Sequence, residues 1–305
     1  MEIFNLFNHQ NSTEINNTIF PESIFEQVID YLNDLRDKDC NKGTFGTLCC
    51  ICGSYGMAGA AMLCGSAAMT CGAGLVKMIL PESIYAIAAS NLWESVFVPM
   101  PESKDGTLCF SDFDKILGEA EKSSAVVIGC GLKVTDNTEQ LVCRLLEECT
   151  KTIILDADGI NCIAKHIDVL KRRNYPTIIT PQPGEMSRLC KRSIAEIQEN
   201  REDLAAEFAK EYGCTMVLKG VGTVITDGSR LTVNPTGNGC LAKGGSGDVL
   251  AGITGAMFSH KKSAFDTACL SVYLHGLSGD RAAKTLGKSA MTASDIADHI
   301  GDFLE

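Results

Sequence analysis

The stretch TLCCICGSYGMAGAAMLCGSAAMTCGAGLVKMIL, Thr47–Leu80, decides the fold. It opens with a short run, LCCIC, that is apolar at every position and stops at Gly53. It closes with a second short run, LVKMIL, apolar apart from Lys77. Between the two lies a longer stretch rich in alanine, glycine and methionine, GMAGAAMLCGSAAMTCG, whose length suits a helix. Short strands that are apolar at successive positions bury both faces, and a helix between two of them makes a parallel crossover.

The rhythm continues outward. AVVIGCG, NTEQLVCRLLEEC, TIILDADG, PTIITPQPGE, REDLAAEFAKEYG and TMVLKG alternate strand-like and helix-like segments. Such alternation predicts an α/β fold with a mostly parallel sheet covered by helices on both sides. The pattern then breaks: GTVITDGSRLTVN reads as a hairpin turning at Asp227-Gly228. Two helical stretches follow, Gly247–Phe258 and Ala264–Ala283, the second with Phe265, Cys269, Val272 and Gly276 at helical spacing. No linker or internal repeat interrupts this order. One domain over residues 41–305 is expected, preceded by a polar extension, residues 1–40. That extension carries one amphipathic helix, Glu22–Arg36, with Ile24, Val28, Ile29, Leu32 and Leu35 on one face.

A net charge of −11 argues against nucleic acid and against a polybasic membrane anchor, though not against a nucleotide ligand. No apolar run reaches the roughly 18 residues needed to span a bilayer. The first residues, MEIFNLFNHQNSTEINN, lack a basic and an apolar region of the secretory kind, so a cytoplasmic location is expected. The 15 cysteines are scattered and odd in number, which suits free thiols in a reducing compartment. Cys49-x-x-Cys52 falls inside an apolar run and reads as buried strand rather than as a zinc or redox motif.

The chemistry concentrates in NPTGNGCLAKGGSGDVLAGITGAMF, Asn234–Phe258. Val249, Leu250, Ile253, Ala256 and Met257 form an apolar helical face that begins just after Gly247. A glycine loop therefore opens into a helix N-terminus, where unpaired N–H groups and the helix dipole favour an anion. The spacing matches neither the P-loop nor the dinucleotide fingerprint. Asp248 sits in the first helical turn. It either complements the dipole, worth some tenths of a kcal/mol, or serves as a general base beside a transferring phosphoryl group.

This segment resembles the signature of the ADP/ATP-dependent NAD(P)H-hydrate dehydratases, a family with the ribokinase-like three-layer α/β/α sandwich. Further matches occur in the family's order: KGTFGT at Lys42–Thr47, GSYGMAGAAMLCGSAAMTCGAGLV at Gly53–Val76, and IGCGL at Ile128–Leu132. ILDADGIN at Ile154–Asn161, TPQPGEMSRL at Thr180–Leu189 and VLKGVGTVI at Val217–Ile225 complete the set. The resemblance implies a repair reaction, in which a hydrated nicotinamide is dehydrated back to NADH or NADPH while ADP or ATP is consumed. It implies that Asp248 is the base on the C6 hydroxyl and that Gly244, Gly245, Ser246 and Gly247 form the anion hole. Lys219, Gly220, Val221, Gly222 and Thr223 would line the nucleotide, together with Gly247. Ala61, Gly131 and Gln182 would lie against the hydrated dinucleotide. Mg2+ would accompany the phosphates, with Glu185 orienting a bound water or simply starting the next helix.

Two departures stand out. The family's TPHPGE segment carries a histidine where this chain has Gln182, which hydrogen-bonds but cannot become cationic. The 40 residues before the domain are also too few for the epimerase domain fused to many bacterial relatives, so an epimerase would come either from another chain or from a part of the protein outside this sequence. The resemblance leaves both ADP and ATP open, with ADP use favoured by the bacterial relatives of similar layout, and it implies a homo-oligomer, a tetramer. A ribokinase-like kinase of a small alcohol and a nucleotide-binding homologue without turnover are the competing readings.

Overall fold

In the computed structural model, which describes residues 16–17, 29–30, 39–258 and 263–304, the strands are β1 (Asn16–Asn17), β2 (Thr47–Ile51), β3 (Leu75–Pro81), β4 (Val96–Met100), β5 (Ala125–Ile128), β6 (Thr152–Leu155), β7 (Thr177–Ile179), β8 (Thr215–Leu218), β9 (Val224–Thr226) and β10 (Arg230–Val233). The side chains of the central strands divide alternately between two cores. Leu48 and Cys50 of β2, Val127 of β5, Ile154 of β6 and Ile178 of β7 point to one. Cys49 and Ile51, Val126 and Ile128, Ile153 and Leu155, and Ile179 point to the other. Both faces of the central strands are thus buried, which explains why they are apolar at every position apart from the threonines that open β2, β6 and β7. Each fully buried isoleucine or leucine contributes about 1.5–3 kcal/mol relative to exposure.

Helices Ala58–Thr70, Ser246–Phe258, Ala264–Leu286 and Ala293–Asp298 cover the first face. Phe113–Ala120, Asp136–Glu148, Pro183–Cys190 and Arg201–Tyr212 are among those covering the second. The result is a three-layer α/β/α sandwich. Among the described residues the sheet order is β1-β10-β9-β8-β7-β6-β5-β2-β3-β4. The pairs from β4 through β8 are all parallel, while β9 pairs antiparallel with both β8 and β10. The hairpin expected at Asp227-Gly228 is present, with the Asp227 carboxylate accepting from Ser229 and Arg230 N–H groups.

Cys49 and Cys52 lie in opposite cores, so this CxxC pair cannot converge; Cys50 and Cys52 are the pair that shares a face. The helix expected from Gly247 begins at Ser246, and the one expected to end at Ala283 runs on to Leu286, where Gly287 turns out at φ +90°. The expected helix over residues 22–36 lies outside the described residues except for Ile29 and Asp30, which are helical, with Ile29 buried against the first core. No helix among the described residues is long and apolar enough to cross a membrane.

The glycine-loop helix, Ser246–Phe258, packs very close to Ala58–Thr70. A Cβ on Gly252 would stand 2.2 Å from the Cys64 carbonyl oxygen. Only glycine admits this backbone approach, and it draws the N-terminus of the glycine-loop helix over the carboxyl ends of the central strands.

Candidate active site

The chain leaves β2 toward β3 and β4 on one side and from β5 toward β6, β7 and β8 on the other. The strand order therefore reverses between β2 and β5, and ligands of open α/β sheets bind outside the carboxyl ends at such a point. Here the two strand ends are joined directly: the Gly53 N–H donates to Cys130 O at 2.8 Å and Ser54 Oγ to Gly131 O at 2.8 Å.

Three further strand ends converge on this crevice. Asp156 follows β6, Thr180 follows β7 and Lys219 follows β8. Lys219 Nζ donates to Asp156 Oδ1 at 2.5 Å, and Thr180 Oγ1 donates to the same oxygen at 2.6 Å. Cys130 Sγ donates to Asp156 Oδ2 at 3.9 Å. From the opposite side the first turn of the glycine-loop helix brings in Asp248, whose carboxylate lies within 4.8 Å of both Cys130 Sγ and the Asp156 carboxylate. Ala157, directly after Asp156, is held at φ +47°, a conformation rare for a residue with a Cβ and of the kind retained at functional sites.

The electrostatics separate the two acids. Burial pushes the Asp248 carboxyl up to about 7, and the Asp156 charge adds to the effect; the Cys130 hydrogen bond and the Lys219 ammonium offset only part of it. Burial opposes the Lys219 ammonium, but the Asp156 and Glu185 charges outweigh it and hold its pKa above the ordinary value. Asp156 is thus paired with a cation, while Asp248 is a carboxyl poised to change state near neutral pH, as a general base requires.

The glycine loop is pinned from behind. The ring of His275, with 7% of its surface exposed, puts Nε2 3.2 Å from Ser246 Oγ and 3.0 Å from Ser246 O. Burial pushes His275 down to about 4, so the ring is neutral at physiological pH. Gly245 makes the turn into the helix at φ +94°. Gly247 faces the ion pair, since a Cβ there would stand 3.2 Å from Lys219 Nζ and 3.7 Å from Asp156 Oδ2. Gly244 is exposed at the loop's outer edge.

The loop Lys219–Thr223 is clamped by Arg201, which donates to the carbonyls of Leu218 at 2.9 Å and Gly222 at 3.3 Å. A Cβ on Gly220 would meet the guanidinium at 2.8 Å. With its backbone tied down, the loop presents Val221 to solvent at 97% exposure, an apolar side chain with no partner on its own surface.

The remaining residues singled out in the sequence are placed as follows. Gly131 lies in the turn after β5, its Cα facing Met57 O and the Ala60 methyl. Ala61 is fully buried in the neighbouring helix, under Gly53. Gln182 is exposed at the N-terminus of helix Pro183–Cys190, and its N–H donates to Glu185 Oε2 at 2.8 Å. Glu185 thus closes a capping box with one oxygen. Burial holds its carboxyl above the ordinary range, against the Lys219 charge and that hydrogen bond. Sequence reasoning missed Asp156, Thr180, Cys130, His275 and Arg201. The signal for the first two was present, since each is a polar residue directly behind a run of isoleucines and leucines and so at the sheet's carboxyl end.

Fold and site together define a ribokinase-like α/β protein. A ribokinase-like superfamily protein of Enterococcus faecalis superposes with a TM-score of 0.78 at 24% identity, over 97% of this chain and 98% of the other. The chain belongs to the NAD(P)H-hydrate dehydratase family, whose sequence profile matches residues 48–301. It is 33% identical over 267 residues to the ADP-dependent (S)-NAD(P)H-hydrate dehydratase of Neisseria meningitidis serogroup B, covering 86% of each. It is 37% identical over 267 residues to the bifunctional NAD(P)H-hydrate repair enzyme Nnr of Moorella thermoacetica, covering 87% of this chain and 50% of the other, so it spans about half the length of such relatives. The ADP/ATP-dependent NAD(P)H-hydrate dehydratase of Bacillus subtilis, co-crystallised with ATP and Mg2+, superposes with a TM-score of 0.77 at 29% identity, covering 95% and 98% of the two chains.

Proposed function

We propose that the protein dehydrates NAD(P)H hydrate to NAD(P)H at the expense of an adenine nucleotide, with Asp248 as the general base. The observation that carries this reading is the placement of Asp248. It stands in the first turn of a glycine-led helix, with its pKa raised to about 7, next to a carboxylate already paired with Lys219.

In this reading the C6 hydroxyl of the hydrated nicotinamide attacks the terminal phosphoryl group, and Asp248 accepts the hydroxyl proton. The backbone of Gly244, Gly245, Ser246 and Gly247 stabilises the phosphoryl oxygens, the first N–H groups of a helix having no partner within it. Phosphate then leaves C6 as a ring proton is lost, which regenerates the reduced nicotinamide. Water is a poor leaving group and phosphate a good one, hence the need for a nucleotide. Lys219–Thr223 lines the adenosine side, where Val221 offers an apolar surface to the base. Ala61, Gly131 and Gln182 are assigned to the dinucleotide side.

Mg2+ fits the donor set. It keeps several waters and takes one or two carboxylates together with substrate phosphates, and Glu185, a buried carboxylate without a salt bridge among the described residues, would orient one of those waters while Asp248 stays free as the base. When bound it neutralises phosphate charge. ADP is the proposed donor, in keeping with the name of the Neisseria relative, and its products are AMP and phosphate. A cytoplasmic homotetramer acting alongside an epimerase completes the reading. The bifunctional relatives, about twice as long, motivate the epimerase partnership.

The test follows reduced-nicotinamide absorbance in hydrated NADH with Mg2+ and either ADP or ATP. Recovery that requires nucleotide, faster with ADP, supports the proposal; no recovery with either nucleotide overturns it.

A further inference from the structure

Cys52, Cys64 and Cys130 come from three separate elements and meet at one point. Cys52 follows β2, Cys64 lies within helix Ala58–Thr70, and Cys130 follows β5. None has exposed surface, and their Sγ atoms all lie within 4.8 Å of one another. Cys50, on the same strand face as Cys52, adds a fourth sulfur 3.9 Å from Cys64 Sγ. Single buried cysteines serve as small apolar side chains. A converging set is different, because its sulfurs point at a common centre.

The spacing suits a soft ion. Metal–sulfur bonds of about 2.3 Å in a tetrahedral site place sulfurs about 3.8 Å apart. The Cys50–Cys64 pair is already at that separation, and the other three need to close by at most about an ångström. The cluster also touches the candidate active site, because Cys130 belongs to both groups: its Sγ lies within 4.8 Å of the Asp156 and Asp248 carboxylates as well.

We propose that Cys52, Cys64 and Cys130 form a binding site for a soft dication such as zinc or cadmium, and that its occupation inhibits the protein. Three metal–sulfur bonds form as three S–H protons pass to buffer, with no change of oxidation state. The complex carries a net charge of −1. Occupation withdraws Cys130 Sγ from Asp156 Oδ2 and sets that negative charge beneath the glycine loop, where it opposes incoming phosphates. Magnesium, a hard ion that prefers oxygen, does not compete for the thiolates. The inhibition rests on the dehydratase reading; the metal site does not.

The experiment titrates reduced protein with Cd2+ and reads the ultraviolet thiolate-to-metal charge-transfer band in wild type, Cys64→Ala and Cys52→Ala, with circular dichroism confirming that each is folded. Cys40, exposed, and Cys109, Cys143 and Cys190, half-buried, are common to all three proteins, so the difference between proteins is what is read. Wild type is expected to bind one tight equivalent that each variant binds at least about tenfold more weakly. Equal tight equivalents in wild type and in whichever variants fold would overturn the site. In the activity arm, one equivalent of Cd2+ abolishes nucleotide-dependent NADH recovery by wild type, a chelator restores it, and Cys64→Ala resists. Equal inhibition of Cys64→Ala would overturn the proposed inhibitory link. If the dehydratase reading itself fails, no protein recovers NADH at any metal concentration, while the charge-transfer titration still decides the metal site.

Discussion

Lys219 Nζ stands 2.5 Å from Asp156 Oδ1, and this pairing gives the two acids of the site different roles. Asp156 is held by a cation and by Thr180, while Asp248 bears the burial penalty and the repulsion of Asp156. A base must be deprotonated to act, so kcat/KM is expected to rise with pH and level off above an apparent pKa near 7, far from the ordinary aspartate range. Asp156→Asn removes a like charge and leaves Lys219 unpaired, and both changes favour the Asp248 carboxylate. The rising limb should therefore move to lower pH, whatever happens to the maximal rate. A limb that stays in place would remove Asp156 from the tuning of Asp248.

The same shift has a sign for stability. The Asp248 pKa is raised on folding, so its contribution to stability is greatest below the unfolded value and is lost as pH rises through about 7. Asp248→Asn abolishes that penalty. Thermal unfolding should show the variant more stable than wild type at pH 8, with the gain shrinking as pH falls from about 7 toward the ordinary aspartate range and levelling off below it. A variant less stable at pH 8 would contradict the buried placement of the carboxyl.

Arg201 ties the Lys219–Thr223 loop, proposed above to line the nucleotide, to the body through the Leu218 and Gly222 carbonyls. Arg201→Ala leaves those acceptors without their donor, at a cost of about 1–3 kcal/mol. Steady-state kinetics should show a raised KM for the nucleotide with kcat less affected. An unchanged nucleotide KM in a folded variant would show that the loop does not need the clamp.

Gly252 lies where the glycine-loop helix meets Cys64 O. Gly252→Ala puts a methyl 2.2 Å from that oxygen and 3.1 Å from the Ala67 methyl, and overpacking of this kind costs about 1–3 kcal/mol. Gly244→Ala, with nothing within 4 Å of the added methyl, should leave stability nearly unchanged. Equal unfolding midpoints for the two variants would contradict the close helix packing.

The strands and their parallel arrangement were legible in the sequence because burial on both faces demands runs like LCCIC and AVVI, apolar at every position. The glycine loop and Asp248 were legible because a helix start is local. The rest of the site was not, for one reason. Asp156, Thr180 and Lys219 are far apart in the chain and become neighbours only because β6, β7 and β8 are adjacent and in register. Arg201 was hidden in the same way, since its carbonyl partners lie 17 and 21 residues further on. The cysteines show the limit of spacing alone: Cys49-x-x-Cys52 looks like a motif yet splits across the sheet, while Cys52, Cys64 and Cys130 meet with no motif at all.

The central claim is that Asp248 is the base in a nucleotide-dependent dehydration. The most direct measurement compares wild type and Asp248→Asn for recovery of NADH from its hydrate in the presence of Mg2+ and ADP. The account predicts recovery by wild type that depends on nucleotide, and a loss of at least about a hundredfold in the folded variant. Recovery by the variant at the wild-type rate, or a phosphorylated product with no NADH from wild type, would contradict it.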